Sequence, residues 1–326
     1  MEYTTLGATG LTVSRIALGC GGFGGIGSAP RFFGGGETED EARALMDAAW
    51  ERGITLFDTA DAYGGGRSEA SIGRWLREKG PEVRDRIVLT TKVFHSVEGD
   101  PADRGLAPAR ILRQIEGSLA RLGVDRIGLY LIHEPDPATP VAETLETLDG
   151  IVRAGKAGAI GASNVDGEYL GGAIASSDAA GRARFASVQN AYSLLDRTAE
   201  KEVLPLCARE GLGFTPFSPL AGGWLAGRYR RGVPPPAGSR MTLRPEGYRH
   251  LENTGTFDAL DRFAAAARAR GVDTATLALA WLLAEPRVTA VIIGPRGPAH
   301  LEPAVRALGL TVNPTERAEL GALFQA

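Results

Sequence analysis

The chain has 326 residues, a formal net charge of −3 and 23% charged residues, so it lacks the basic excess that neutralises nucleic-acid phosphates. Its two cysteines, Cys20 and Cys207, are too few for a disulfide framework. No apolar run reaches the roughly 20 residues that span a bilayer, and the first residues carry no signal-peptide pattern. The expectation is a soluble, cytoplasmic chain with no nucleic-acid or membrane partner. A local basic pocket for a phosphorylated ligand remains compatible with the charge.

In chain order, Tyr3–Leu6 and Leu11–Val13 flank Gly7–Gly10 and predict a β-hairpin. Eight β-rich runs follow: Arg15–Leu18, Ile54–Asp58, Ile87–Lys92, Ile127–His133, Ala157–Ser163, Phe185–Asn190, Gly213–Ser218 and Val288–Gly294. Several are nearly continuous apolar segments, the pattern of strands buried on both faces of a parallel sheet. Helical stretches alternate with them, as at Asp40–Gly53, Ser68–Gly80, Pro108–Gly123 and Val141–Gly155. Each of these four ends on the glycine that commonly stops a helix. A closing helix near Pro298–Gly309 completes eight β–α units, and Pro314–Phe324 reads as one more helix. The predicted fold is α/β: a single (β/α)8 TIM barrel over residues 1–326, with an N-terminal hairpin and an extra C-terminal helix. Two long insertions, Gly21–Gly36 and Gly222–Gly255, interrupt the rhythm; long loops inside a compact domain are usually functional.

In such a barrel the chemistry sits at the C-terminal ends of the strands. Five consecutive runs end there on polar groups: Asp58 through Tyr63, Thr91-Lys92, His133-Glu134, Ser163-Asn164 and Gln189-Asn190. Each has a bland reading. Asp58 could cap a loop, Lys92 could reach for solvent, His133 could be a satisfied structural histidine, and Ser163-Asn164 could be a helix cap. Tyr63 could be a core aromatic. Their convergence on one rim favours a site.

That set suits carbonyl reduction. Hydride arriving at a carbonyl carbon builds negative charge on oxygen, which needs a proton or a hydrogen bond. A tyrosine, with a pKa of about 10, is a weak acid unless a cation stabilises its phenolate. Lys92 supplies a cation, Asp58 fixes the lysine, and a neutral His133 orients the carbonyl. No metal-ligand cluster stands out, because the four histidines are dispersed.

At these residues the chain resembles the aldo-keto reductase superfamily over essentially its whole length. Phe57-Asp58-Thr59-Ala60-Asp61-Ala62-Tyr63-Gly64 with Ser68-Glu69 is similar to the family's aspartate–tyrosine signature, Thr91-Lys92 to its lysine and Leu131-Ile132-His133 to its histidine. The resemblance implies Tyr63 as general acid/base, with Lys92, Asp58 and His133 as its partners. It implies a nicotinamide site of Ser163, Asn164 and Gln189, with Phe217 stacking on the ring and Gly19 and Cys20 beside it. Ser218, Leu220 and Gly222 then run beneath the pyrophosphate. Gly294, Arg296 and His300 take the adenosine side, with Arg296 aimed at the ribose 2′-phosphate. The stretch from Ser218 to Tyr229, with Ser239-Arg240, is similar to bacterial reductases related to potassium-channel β subunits and to deoxysugar-pathway reductases. In that branch Arg228 and Arg240 match basic cofactor contacts, although both also read as solvated loop arginines. Where the family has Gln or Arg and then Glu-Asn on the adenine side, this chain has His300 and Pro303-Ala304.

Phe23, Phe32, Phe33, Phe94 and Trp224 are candidate pocket walls, since small-molecule sites are mainly apolar. The leading expectation is an NADPH-dependent reductase of an aldehyde or ketone, with a keto-sugar among the candidates and NAD as a possible cofactor. Two others stand beside it: an NAD-dependent sugar dehydrogenase of the same fold, and a low-turnover NADPH-binding regulatory subunit.

Overall fold

The computed structural model describes residues 1–324. The hairpin forms from β1 (Tyr3–Thr5) and β2 (Thr12–Ser14), paired antiparallel. Eight parallel strands then form one sheet: β3 (Ile16–Gly19), β4 (Leu56–Asp58), β5 (Val88–Val93), β6 (Ile127–Ile132), β7 (Ala157–Ser163), β8 (Phe185–Gln189), β9 (Gly213–Phe214) and β10 (Val291–Ile293). From β3 to β9 each strand pairs with the next, and β10 returns to pair with β3. The last seam is irregular. It is held by Thr289 N–H donating to Phe214 O at 2.8 Å and Ile292 N–H donating to Pro216 O at 3.0 Å. The architecture is a (β/α)8 barrel.

β9 is shorter than the Gly213–Ser218 run predicts. Pro216 and Pro219 have no N–H to give a ladder, and Ser218 adopts a left-handed backbone at φ 54°. β10 likewise begins three residues later than Val288.

Helices run on the outside where the amphipathic pattern places them, for example Glu39–Glu51, Arg67–Lys79, Pro108–Leu122 and Val141–Arg153. Thr38 begins the first of these with a capping box, its side chain accepting from Glu41 N–H while the Glu41 carboxylate accepts from Thr38 N–H. Helices Thr254–Ala269 and Thr274–Leu283 precede the last strand, and the final helix is Pro314–Ala322. Thr274–Leu283 is apolar all round and sits inside the core, so it offers no amphipathic period.

The main core lies between sheet and helices. A second cluster, Leu6, Val13, Ala17, Leu56, Leu129, Leu131, Ala290 and Ile292, fills the barrel itself. Leu6 and Val13 come from the hairpin, which therefore plugs the N-terminal end.

Strand alternation now places the site. Successive side chains point to opposite faces, so Leu56 and Asp58 share the interior face, as do Leu129, Leu131 and the following His133. The same count carries Val88, Thr90 and Lys92 inward, and Ala159, Gly161 and Ser163. The ladders align Gly19 with Asp58, Asp58 with Thr90, and Ser163 with Gln189. Apolar interior residues thus give way to polar ones at the C-terminal rim.

Candidate active site

Asp58 and Lys92 meet at the centre of that rim. Lys92 Nζ donates to Asp58 Oδ1 at 2.8 Å and to Thr59 O at 2.7 Å. The second carboxylate oxygen, Asp58 Oδ2, accepts from Gln189 Nε2 at 2.7 Å. Lys92 is wholly buried, so this hydrogen-bonded pairing is what keeps a charge there tolerable. Burial works against the Lys92 ammonium, yet Asp58 and Tyr63 together hold its pKa above the ordinary lysine value.

Tyr63 follows on the β4 loop and stays partly exposed toward the rim. Lys92 Nζ lies 5.0 Å from its ring centroid. Enclosure pushes the Tyr63 hydroxyl above the usual phenol range, while the Lys92 charge pulls it back down. The His133 ring stands edge-on to Tyr63, with centroids 5.5 Å apart. Burial, then the charge of Lys92, drives the His133 pKa well below its ordinary value, so the imidazole is neutral near pH 7. His95 stacks edge-on against His133 at 4.7 Å and against Phe94 at 5.3 Å. Burial and the charges of Arg104, Arg110 and Arg244 lower the His95 pKa to about 4.

A hydroxyl and carboxylate shell braces this group from behind. Ser68 Oγ donates to Cys20 O at 2.8 Å and lies 2.8 Å from Thr59 Oγ1. Glu69, fully buried, accepts from Thr91 Oγ1 at 2.6 Å and from Arg121 Nε at 2.7 Å. The Ser68-Glu69 pair of the sequence motif therefore holds the two loop ends around Asp58 and Lys92. Both Asp61 carboxylate oxygens are buried without a hydrogen bond, and burial raises its pKa well above the ordinary value.

The residues expected to hold the nicotinamide lie on the neighbouring rim. Asn164, in left-handed backbone at φ 56°, donates through Nδ2 to His133 O at 2.8 Å and to Ser163 Oγ at 3.2 Å. Phe217 is half-buried, its N–H bonded to Asn190 O at 3.1 Å. Asn164, Ser218 and Ala221 are the only non-glycine residues with positive φ among the described residues, and all three follow barrel strands at this end. Such strained backbone gathers at ligand sites.

The remaining cofactor candidates form a second group on the same rim. Leu220 is half-buried, and Gly222 lies against the Tyr248 ring, whose hydroxyl is 3.4 Å from Ser218 Oγ. Gly294 and Gly297 face open space, as a cradle for a ligand's phosphates requires. The Arg296 guanidinium donates to Gly238 O at 2.8 Å, and its backbone N–H donates to His300 Nδ1 at 3.1 Å. Arg228 and Arg240 are exposed on the long β9 loop nearby.

Three of the expected residues are buried. Cys20 is wholly buried with its thiol against Leu18 O at 3.5 Å, and burial raises its pKa well above the usual value; its side chain is packing, not an open contact. Phe23 and Trp224 are each 1% exposed. Trp224 packs on Tyr229 and Phe257, so in this conformation neither ring walls an open pocket. Phe94 is also buried, under Arg104, but it reaches the site through His95. The half-buried Phe32 and Phe33 are the more accessible aromatics. Gly19 packs closely on the neighbouring strand: a Cβ there would come within 2.8 Å of Ile293 O.

Residues that sequence reasoning passed over include His95, Glu37 and Arg244. Their one signal was position, on or beside the two long loops and the β5 end.

Comparison with known proteins finds relatives along the whole chain. A model of the Aldo/keto reductase family matches residues 15–323. The uncharacterized oxidoreductase YrpG of Bacillus subtilis is 39% identical over 96% of this chain and 93% of its own length. A probable voltage-gated potassium channel subunit beta of Oryza sativa is 34% identical over 90% of this chain and 87% of its own. The L-glyceraldehyde 3-phosphate reductase of Escherichia coli is 31% identical over 98% and 91%. No described helix is long and apolar enough to cross a membrane. With the motifs, the barrel and these relatives in agreement, the chain belongs to the aldo/keto reductase family of NAD(P)H-dependent oxidoreductases.

Proposed function

We propose that this protein reduces an aldehyde or ketone, a keto-sugar among the candidates, to the alcohol, with NADPH as its preferred cofactor and Tyr63 as proton donor. The observation that carries the reading is the single constellation of Lys92 against Asp58 at 2.8 Å, with Tyr63 over Lys92 and beside a neutral His133.

A nicotinamide bound here would supply hydride to the carbonyl carbon. Tyr63 then gives its hydroxyl proton to the carbonyl oxygen, and the Lys92 charge stabilises the phenolate left behind. Asp58 holds Lys92 in place and is itself held by Gln189. His133, neutral, donates a hydrogen bond that orients the substrate oxygen. Ser163 and Asn164 offer polar groups to the carboxamide, and Phe217 an aromatic face to the ring. Arg296, with Arg228 and Arg240 nearby, suits the ribose 2′-phosphate. The enzyme works as a single barrel domain in the cytoplasm on a small-molecule substrate.

The test is NADPH oxidation against a panel of aldehydes, ketones and keto-sugars. Turnover of none of them, with NADPH bound, would favour a second reading, a regulatory cofactor-binding subunit. The likeness to potassium channel subunit beta relatives is the observation behind that alternative. Faster oxidation of sugars with NAD than any reduction with NADPH would favour the dehydrogenase instead.

A further inference from the structure

Glu37 is a buried acid beside cofactor arginines. It closes the glycine-rich loop after β3: its N–H donates to Gly22 O at 2.8 Å, and its carbonyl accepts from Gly24 N–H at 2.9 Å. The side chain is only 8% exposed. It lies flat on Gly22, where even a Cβ would come within 1.9 Å of Glu37 Oε2, so the carboxylate is built into this loop. Oε1 is 3.8 Å from Arg296 Nε, too long for a hydrogen bond and close enough for a partly screened charge attraction. Burial raises the Glu37 pKa, and the charges of Arg296 and Arg240 work against that rise. Arg296 in turn is tied to Gly238 O on the opposite loop.

Two arginines that suit a phosphate therefore already have a fixed anion next to them. A ribose 2′-hydroxyl arriving here finds an acceptor in the carboxylate. A 2′-phosphate finds the arginines, but also a like charge that cannot swing away, because its loop is hydrogen-bonded and its stem is packed. We infer that Glu37 is a cofactor-discriminating residue, whose carboxylate accepts from the 2′-hydroxyl of NADH and opposes the 2′-phosphate of NADPH. It trims the NADPH preference that Arg296, Arg228 and Arg240 would otherwise set. The inference rests on the placement of the adenosine ribose at Arg296 under Proposed function.

The experiment titrates the purified protein with NADPH and with NADH, following nicotinamide fluorescence, in wild type, Glu37→Gln and Glu37→Asp. Glu37→Gln keeps the size and removes the charge. NADPH affinity should rise about tenfold, the effect of removing one like charge at near-contact distance in partly screened surroundings. NADH affinity should fall or hold, so the NADPH/NADH ratio rises. Equal weakening for both cofactors, a selective loss of NADPH, or an unchanged ratio each overturns the inference and leaves Glu37 as a support for the loop. Glu37→Asp withdraws the charge by one methylene and should raise the ratio by a smaller factor. If Glu37→Gln does not fold, an unchanged ratio in Glu37→Asp overturns the inference just as firmly. Wild-type protein that binds neither cofactor would instead sink the proposed function, and this inference with it.

Discussion

Lys92 and Tyr63 face each other across 5.0 Å from ammonium to ring centroid, inside a rim where Lys92 has no access to water. In the proposed reaction, proton transfer from Tyr63 depends on that relationship. Enclosure raises the phenol pKa and the ammonium lowers it, so the hydroxyl stays protonated at neutral pH with a stabilising charge in place for its anion. Tyr63→Phe keeps the ring and its edge-on packing with His133 while deleting the proton. Carbonyl reduction should fall at least about 100-fold, the usual contribution of general acid catalysis, with NADPH affinity nearly unchanged. Steady-state rates on several carbonyls and a cofactor titration check both halves. A mutant turning over near the wild-type rate removes Tyr63 from the mechanism.

Lys92→Met tests the same relationship from the other side. Without the ammonium the Tyr63 hydroxyl loses the influence that lowers its pKa, so the inflection of the pH–rate profile should move upward as the rate drops. Stability should also fall, by about 3–5 kcal/mol, because the substitution strands the Asp58 carboxylate in a buried site. Denaturant unfolding reads the second effect. An unmoved inflection would leave Lys92 a structural residue.

The lowered His95 pKa has a consequence for stability. A histidine held at about 4 when folded, against about 6.5 unfolded, must give up its neutral state as acid is added. The unfolded chain binds the proton first, so this contribution is complete above pH 6.5. It fades as pH falls toward about 4, by at most about 3.5 kcal/mol at one pKa unit per 1.4 kcal/mol. His95→Asn should flatten the fall in unfolding free energy between pH 6.5 and 4. Equal slopes for the two proteins in that window would contradict the depressed pKa.

Much of the barrel and its rim was legible because both follow from period-2 alternation. The interior residues Leu56 and Leu131 announce where Asp58 and His133 point, and a run ending on a charge marks the mouth. Other features obey no local period. Thr274–Leu283 escaped because a helix buried on all sides has no polar face to reveal it. The stop of β9 at Phe214 depends on prolines whose missing N–H groups matter only where the sheet closes. Gln189 reads as a cofactor contact; that its amide also donates to Asp58, a pairing across 131 residues, is something no spacing could announce. Phe23 and Trp224 were legible as aromatics on long loops, but whether such a ring faces ligand or core is decided by how those loops fold back.

Arg296 donates to Gly238 O on one side and faces the Glu37 carboxylate on the other. Its side chain is 51% exposed, so any charge-assisted bond to a phosphate is partly screened. The expected contribution therefore lies at the low end for such bonds, about 1.4 kcal/mol or tenfold in affinity. Arg296→Ala should weaken NADPH about tenfold and leave NADH within about twofold, measured by fluorescence titration. The loss should shrink as salt is raised, because ions screen the charge on both partners. Equal loss for the two cofactors would mean that Arg296 only ties the loop at Gly238 to the barrel. NADH bound as tightly as NADPH by the wild type would reverse the proposed preference and bring the oxidative sugar-dehydrogenase reading forward, since an uncontested Glu37 already provides an acceptor suited to a ribose hydroxyl.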